Sequence, residues 1–483
     1  MMRSARKPRT LGELKDSGYT PLTIREELRK NLIFRLEQGT PLFPQMTGYE
    51  HTVIPKLENA LLAGHDIILL GERGQGKTRL IRSLAGLLDE EIPIIRGSEV
   101  SDNPFAPISR YGIEMVADLQ DKTEIEWLPR SRRYTEKLAT SDTTSAELIG
   151  EIDPIKVAEG RYLSDELTIH FGLIPRANRG IFAINELPDL SEKVQVGLFN
   201  ILEERDIQIK GYKMQLPLDI LVVATANPED YTSRGRIITP LKDRYAAHIT
   251  THYPMTREVE MAIVSREAAH HQRGERTLVI PQFLAEVISE ITFQARRSPD
   301  ISQVSGVSVR MTISNMESLI SNAEKRAILQ KQPVIIPRIT DLEAVLASSE
   351  GKLELEYAGQ NKSVAQVVRG LIDQAVLTVF NEYWDVEDFE ALVGCFQNGW
   401  WVEVSDQVPD NHYQVLLPKL KGLESCLLKL DLGPSNEMVP AAVEFVLEGL
   451  ALHEKLNKDR VDDKVIFNET RQIQPMGRNP EMA

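Results

Sequence analysis

The segment Gly71-Glu72-Arg73-Gly74-Gln75-Gly76-Lys77-Thr78 decides the fold of this 483-residue chain. It fits the phosphate-binding loop pattern G-x-x-x-x-G-K-[ST]. Its glycines allow the backbone to turn so that successive N–H groups point at phosphate oxygens. Lys77 can reach the β- and γ-phosphates, and the hydroxyl of Thr78 can ligate Mg²⁺. We therefore expect the whole segment to bind a nucleotide, with Thr78 also a ligand of the metal ion.

The residues on either side of this loop have the patterns that such a loop requires. Residues 66–70 form a short apolar run that ends at Gly71, as a buried strand would. Residues 79–88 carry leucine and isoleucine at helical spacing. A helix that starts at this loop would add its positive N-terminal end to the anion site.

The composition limits the kinds of partner that the chain can have. Its formal net charge of −15 argues against a general nucleic-acid-binding or anionic-membrane surface. The two cysteines, Cys395 and Cys426, form no metal or redox motif, and their scarcity fits a reducing compartment. The N-terminus lacks an apolar signal core, and no apolar run reaches transmembrane length. We expect a soluble cytoplasmic protein that neither binds nucleic acid nor inserts into a membrane.

Two further apolar runs predict buried strands. Residues 180–186 end in Glu186, and residues 218–227 end in Asn227. Continuous apolar strands separated by helical segments indicate a parallel sheet covered by helices on both faces. In such sheets the ligand binds at the carboxyl ends of the strands, where Gly71, Glu186 and Asn227 would meet. The sequence therefore predicts an α/β fold with a P-loop nucleotide site at one edge of the sheet.

The order of these motifs resembles that of AAA+ ATPases. The phosphate loop is followed by a strand with Glu186, a strand that ends in Asn227, the sequence Leu241-Lys242-Asp243-Arg244, and then Arg310. Within AAA+ proteins, the resemblance is to the MoxR and magnesium-chelatase ATPase-subunit group and covers roughly residues 40–345. Three segments carry this narrower resemblance: residues 43–50, residues 148–161 and residues 172–180.

The resemblance implies roles for residues at the three strand ends. Lys77 and Thr78 would hold phosphate and Mg²⁺, and Glu186 would polarise the attacking water. Asn227 would be the sensor that positions this water against the γ-phosphate. Glu186 and Asn227 each have a plainer alternative, as an exposed strand-end glutamate and as a turn residue before Pro228.

Two arginines complete the implied site. Arg244 resembles the arginine finger that reaches the γ-phosphate of a neighbouring subunit and neutralises charge in the transition state. Arg234 and Arg236 lie nearby in the sequence and compete for this role. Arg310 resembles the sensor-2 arginine of a helical lid.

One position departs from the family pattern. The strand that carries the catalytic glutamate normally ends Asp-Glu, but here it ends Asn185-Glu186. The aspartate normally supports Mg²⁺, and an asparagine keeps an acceptor oxygen there but loses the negative charge. Either Mg²⁺ is held more weakly and hydrolysis is slow, or the protein binds ATP as a switch that hardly turns over. Because Glu186, Asn227 and both arginines are kept, we favour slow hydrolysis.

The patterns and the resemblance together predict five regions. They are an N-terminal helical segment (1–40), the AAA+ P-loop core (41–252), an all-helical sensor-2 lid (253–350), a mostly helical C-terminal domain of unknown role (351–462) and a disordered tail (463–483). The polar stretches 97–147 and 148–172 are either functional insertions or ordinary loops. Residues 198–211 predict a helix and hairpin, which faces either the pore of a ring or solvent. The pair Trp400-Trp401 is either a docking patch or, more commonly for such pairs, core.

The resemblance also implies a function. ATP and Mg²⁺ would be the cofactors of a hexameric ring, because a finger that acts in trans needs an adjacent subunit. A separate protein with a von Willebrand factor A domain would be the partner. A magnesium-chelatase motor subunit for porphyrin metallation and a non-hydrolysing ATP-dependent scaffold are the alternatives. A transcriptional activator or helicase motor is disfavoured, since the chain has no helix-turn-helix signature and no basic face.

Overall fold

The protein consists of two compact units, Met1–His252 and Tyr253–Ala483, in a computed structural model. The structure describes residues 7–152, 168–207, 216–227, 236–269, 275–303, 306–356, 362–405, 407–430, 436–461 and 464–469.

The first unit is built on a five-stranded parallel sheet. The strands of this unit are β1 (Ile67–Leu70), β2 (Glu91–Ile95), β3 (Ile125–Pro129), β4 (Tyr134–Leu138), β5 (Gly150–Ile152), β6 (Ile169–Phe171), β7 (Gly180–Asn185), β8 (Ile220–Ala226) and β9 (Ala247–Thr250). The strand order in the main sheet is β4-β7-β8-β1-β9, and every neighbouring pair is parallel. Two antiparallel pairs, β2 with β3 and β5 with β6, lie outside this sheet.

Helices precede β1 and also lie between later strands of this unit. They are α1 (Leu11–Asp16), α2 (Ile24–Glu37), α3 (Ile54–Leu62), α4 (Lys77–Ser83), α5 (Arg110–Leu119), α6 (Ser145–Leu148), α7 (Leu173–Arg176), α8 (Glu192–Gly197), α9 (Phe199–Glu203) and α10 (Thr239–Arg244). The longest, α2, starts with a capping box between Thr23 and Glu26, which satisfies two backbone N–H groups at its end. Leu28 and Leu32 of this helix are buried in the same core as β1, so residues 24–37 belong to the first unit.

The central strands are buried on both faces. On β1, the side chain of Ile68 lies in one hydrophobic core, whereas those of Ile67 and Leu69 lie in the other. Strands β7 and β8 alternate between the same two cores. Burial on both faces explains why these strands are apolar along their whole length. The predicted parallel sheet with helices on both faces is thereby confirmed.

Strand β4 was not predicted, because it lies in the stretch 97–147 that the sequence assigned to insertions or loops. It forms one edge of the main sheet, where it pairs with β7. Its residues are only partly buried, so the apolar pattern that marks the central strands is missing. The predicted segment 148–161 is described only up to Ile152, and the predicted hairpin at 198–211 only up to Ile207.

The second unit has one main hydrophobic core, formed mostly by helices. They are α11 (Arg257–Glu267), α12 (Gln282–Arg297), α13 (Val309–Leu329), α14 (Val345–Glu350), α15 (Val364–Tyr383), α16 (Glu390–Gln397), α17 (Asp410–Leu416), α18 (Leu423–Leu427) and α19 (Val439–Leu452). Side chains from both 253–350 and 351–462 enter this core, so the two regions that the sequence separated form one unit. Within the described residues, we find no helix with both the length and the apolar character that crossing a membrane requires.

Five short strands complete the second unit. They are β10 (Thr277–Leu278), β11 (Val334–Ile335), β12 (Val402–Val404), β13 (Leu456–Val461) and β14 (Lys464–Glu469). Strands β10 and β11 pair in parallel, and β12-β14-β13 form an antiparallel sheet. The prediction of disorder is therefore wrong for residues 464–469, because Phe467 is buried in the core. The later residues of the predicted tail lie outside the described part of the chain.

The tryptophans of the second unit also differ from expectation. Trp400 and Trp401 are 38% and 58% exposed, so the interpretation of this pair as core is wrong. Trp384, which is 3% exposed, is the tryptophan that packs inside, and its indole N–H donates to the carbonyl of Cys426 at 3.0 Å. Sequence cannot separate these cases, because tryptophan is common both in cores and at exposed contact surfaces.

A buried ion pair fastens helix α2 to the start of strand β4. The guanidinium of Arg133 donates to both carboxylate oxygens of Glu27, at 2.7 and 2.6 Å. The same guanidinium donates to the carbonyl of Arg179 at 2.9 and 2.7 Å. The side chains of Arg133 and Glu27 are 1% and 3% exposed. Removal of either partner would leave an uncompensated charge in the interior.

We expect Glu27→Ala to lower the free energy of unfolding by about 3–5 kcal/mol, the usual loss when a buried pair is broken. Urea titration of the full chain, followed by circular dichroism, measures this loss. Glu37→Ala is the matched control, since Glu37 is exposed at the end of the same helix, and its change should stay below about 0.5 kcal/mol. A loss below about 1 kcal/mol in Glu27→Ala would mean that the pair is dispensable.

Candidate active site

Three strand ends meet at one edge of the main sheet. Parallel pairing sets Leu70 of β1 opposite Ala226 of β8, and Ile184 of β7 opposite Ala224 of β8. The loop 71–78 follows β1 directly, Asn185 ends β7, and Asn227 follows β8. This edge is where ligands bind in parallel α/β sheets.

The loop after β1 is held in shape by its own side chains. Gly74 and Gly76 have φ angles of 76° and 75°, the left-handed region that glycine adopts without strain. The side-chain oxygen of Gln75 accepts hydrogen bonds from the backbone N–H of Glu72 at 3.1 Å and from the hydroxyl of Thr251 at 2.6 Å. Gln75 therefore ties the loop to the chain that follows β9.

Tyr49 supports the same loop from the segment before α3. Its hydroxyl lies 2.5 Å from the carbonyl oxygen of Gln75 and 2.9 Å from that of His252. Burial raises the pKa of Tyr49 to about 12, so the hydroxyl remains a donor at neutral pH. This residue lies in the segment 43–50 that resembles the chelatase group.

Lys77 is hydrogen-bonded to three oxygen atoms of the site. Its ammonium donates to the carbonyls of Gly71 and Glu72, at 2.5 and 2.8 Å, and to the side-chain oxygen of Asn227 at 2.7 Å. An ammonium has three donors, so these acceptors match all of them. The structure thus brings together Lys77 and Asn227, which lie 150 residues apart in the sequence.

Asn185 connects the loop helix to its neighbouring strands. Its side-chain oxygen accepts from the hydroxyls of Thr78, at 3.4 Å, and of Thr225, at 3.3 Å. Its side-chain N–H donates to Glu136 on strand β4 at 2.5 Å. The two residues predicted to hold the metal ion, Thr78 and Asn185, are therefore adjacent.

Glu136 is a residue of the site that sequence reasoning missed. Its carboxylate accepts from Arg82 at 2.7 and 2.8 Å and from the hydroxyl of Tyr134 at 3.0 Å. The hydrogen bonds from Arg82 hold the pKa of Glu136 below its usual range, against the opposing effect of burial. No motif marks this residue, and only the register of β4 with β7 brings it next to Asn185.

Glu186, the predicted catalytic glutamate, has an unusual backbone. Its φ and ψ angles of 57° and 52° lie in the left-handed region, which non-glycine residues seldom adopt. Its backbone N–H donates to the hydroxyl of Thr225 at 3.0 Å, which holds this conformation. Such strain is common where a side chain must be aimed at a functional site.

Arg244 ends helix α10 and is bound within its own unit. Its guanidinium donates to Glu203 at 2.9 and 2.5 Å and to the carbonyl of Pro240 at 2.7 Å, and lies 4.4 Å from the centre of the Phe199 ring. Of the competing arginines, Arg236 is exposed, and Arg234 lies outside the described residues.

Arg310 belongs to the second unit. It is exposed in the first turn of α13, where its backbone N–H donates to the hydroxyl of Ser308 at 3.1 Å. The structure brings Lys77 into contact with Asn227 and Thr78 into contact with Asn185. The roles of these residues and of Glu186, Arg244 and Arg310 stay predictions.

Comparisons with known proteins agree with the fold and the motif order. A family model described as AAA domain (dynein-related subfamily) matches residues 115–245. The magnesium-chelatase subunit ChlI of Nephroselmis olivacea is 25% identical over 244 residues, which cover 48% of this chain and 63% of that protein. The magnesium-chelatase 38 kDa subunit of Rhodobacter capsulatus is 25% identical over 232 residues, which cover 47% of this chain and 61% of that protein.

Among solved structures, the complex between subunits BchI and BchD of magnesium chelatase contains a chain that is 18% identical. The match covers 68% of this chain and 98% of that chain, with a TM-score of 0.34. This chain spans about three fifths of the length of the curated relatives it matches. The motif order, the AAA-domain match over residues 115–245 and the curated relatives together support an AAA+ protein similar to the magnesium-chelatase subunit ChlI.

Proposed function

We propose that this protein binds ATP with Mg²⁺ and hydrolyses it slowly, in a ring of identical subunits, to remodel a partner protein. The observation that carries the proposal is the convergence of the loop 71–78, Asn185 and Asn227 at one sheet edge, with Lys77 bonded to Asn227. Family membership supports the same activity. Glu186 would accept a proton from the attacking water, and Asn227 would orient that water.

The residues at this edge fit both the nucleotide and the metal ion. Glycines in the left-handed region expose backbone N–H groups to phosphate, and Lys77 supplies a positive charge. Thr78 and Asn185 offer hydroxyl and amide oxygens, and oxygen donors are what Mg²⁺ prefers. When bound, Mg²⁺ would neutralise the charge on the phosphates.

The oligomeric part of the proposal rests on Arg244. As an arginine finger it would serve the site of the neighbouring subunit, which requires a ring. The bonds from Arg244 to Glu203 show that its guanidinium can be held in a fixed orientation at the end of α10. A MoxR-like role with a separate von Willebrand factor A domain protein, in the cytoplasm, completes the proposal.

Two alternatives have specific support. The two relatives described above are subunits of magnesium chelatase, which favours a motor subunit for porphyrin metallation. The identity of 25% and the partial coverage of those relatives make the broader remodelling role our choice. A non-hydrolysing scaffold is supported by Asn185, which replaces the usual acidic residue.

The first prediction concerns turnover. Purified protein should hydrolyse ATP only when Mg²⁺ is present. Lys77→Ala and Glu186→Gln should each reduce the rate at least about a hundredfold, since the first removes the positive charge that faces the phosphates and the second removes the general base. A steady-state phosphate-release assay measures these rates. Bound nucleotide without any turnover would favour the scaffold, whereas wild-type protein that binds no nucleotide would refute the proposal.

The second prediction concerns the finger. Arg244→Ala and Lys77→Ala should each be inactive alone, but a mixture should regain activity, because the finger of one variant can complete the nucleotide site of the other. In a randomly mixed ring, about a quarter of the interfaces would be complete. The same mixing with Arg236→Ala tests the competing arginine. No recovery in a mixture shown to form mixed rings, by co-purification of one variant with an affinity-tagged copy of the other, would exclude action in trans.

The third prediction concerns the shape of the loop. A Cβ atom at Gly71 would lie 2.0 Å from the Thr251 hydroxyl oxygen and 2.2 Å from the side-chain oxygen of Gln75. Gly71→Ala should therefore distort the loop and weaken ATP binding at least about tenfold. Gly86→Ala is the matched control, since its nearest new contact would be Arg35 at 3.8 Å. Isothermal titration measures both, and equal affinities would contradict this account of the loop.

A further inference from the structure

The carboxylate of Glu136 lies on the same face of the sheet as Asn185. Strand β4 pairs in parallel with β7, with Glu136 opposite Ala183 and Leu138 opposite Asn185. Because side chains two residues apart on a strand share a face, Glu136 and Asn185 are diagonal neighbours. Their side chains meet at 2.5 Å. A negative charge therefore lies one strand away from the position where the family usually has it.

The Asn185 amide has a definite orientation between its neighbours. Its N–H side faces the carboxylate of Glu136, and its oxygen faces the hydroxyls of Thr78 and Thr225. An aspartate at position 185 would place an oxygen against Glu136, and two carboxylates in contact disfavour double ionisation. An asparagine at this position avoids that repulsion. Asn185 and Glu136 are thus a matched pair that carries one negative charge.

Helix α4 brings the metal-binding hydroxyl to the same pair. Thr78 and Arg82 are four residues apart in this helix and so share one face. Thr78 contacts Asn185, and Arg82 contacts Glu136. The plainer alternative is that Glu136 serves only to hold Arg82. The side chain of Arg82 is 62% exposed, and exposed ion pairs contribute little to stability. This alternative also gives no reason for the contact between Glu136 and Asn185.

We infer that Glu136 supplies the negative charge of the Mg²⁺ site in place of the aspartate that Asn185 replaces. Asn185 links this charge to Thr78. The inference rests on the proposed binding of ATP with Mg²⁺ and deepens it. Glu136 is a positioning residue in this account, because it acts through Asn185, and partners of this kind commonly change metal affinity by 10–100-fold.

The test is a titration of nucleotide binding with Mg²⁺, which does not depend on turnover. Fluorescence anisotropy of a labelled, non-hydrolysable ATP analogue gives the Mg²⁺ concentration at which the gain in affinity is half complete. Glu136→Gln should raise this concentration about tenfold or more. The charge swap Glu136→Gln with Asn185→Asp should restore it to within about threefold of wild type, because the single charge returns to the pair.

Arg82→Gln is the control for the plainer alternative. It removes the ion pair but keeps the carboxylate, so the Mg²⁺ concentration should change less than about twofold. In excess EDTA, all variants should bind the analogue equally, which shows that the loop is intact. If Glu136→Gln binds the analogue more weakly than the wild type in EDTA, the double variant Glu136→Gln with Arg82→Gln replaces it. The double variant removes the carboxylate and its guanidinium partner together, so it leaves no unpaired charge.

The outcomes separate this inference from the proposed function. In one outcome, the wild-type protein binds the analogue in a Mg²⁺-dependent way, and Glu136→Gln needs the same Mg²⁺ concentration as the wild type. This outcome overturns the inference and leaves the proposed function standing. An equal shift in Arg82→Gln, or a charge swap that restores nothing, also overturns it. Wild-type protein that fails to bind the analogue in any condition overturns the proposed function, and the inference with it.

Discussion

The parallel pairing of β7, β8 and β1 is the constraint on which the candidate site depends. Parallel strands end at the same edge, so the loop 71–78, Asn185 and Asn227 meet without any local signal that directs them together. The pairing itself is fixed by burial of both faces of the sheet. A shift of one residue would exchange the side chains of the two cores. The apolar core thus sets the positions of polar groups that it does not touch.

Charged groups of the first unit are matched by polar groups of the same unit. Lys77 is held by backbone carbonyls and Asn227, Arg244 by Glu203, and Arg82 by Glu136. Burial of a charge is costly unless hydrogen bonds compensate it, and these contacts supply the compensation where the side chains are enclosed. The arrangement keeps these side chains in defined orientations.

Much of this site could be predicted because its strands are central. Strands β1, β7 and β8 are apolar along their length, and the glycine loop has a fixed spacing. Strand β4 could not be predicted in the same way, since an edge strand is half solvated and its residues mix polar and apolar types. Glu136 was missed for that reason, because its relation to Asn185 exists only in the pairing register. The exposure of Trp401 likewise depends on packing that sequence spacing does not encode.

The three hydrogen bonds of Lys77 have a consequence for how tightly any anion can bind. A phosphate that approaches this ammonium exchanges existing hydrogen bonds instead of adding new ones, so the net gain is a difference between similar quantities. Because these hydrogen bonds compete with an incoming anion for the same donors, they lower its apparent affinity. Nucleotide would therefore bind with a raised dissociation constant. The fraction of protein that carries nucleotide would then rise and fall with the surrounding nucleotide concentration.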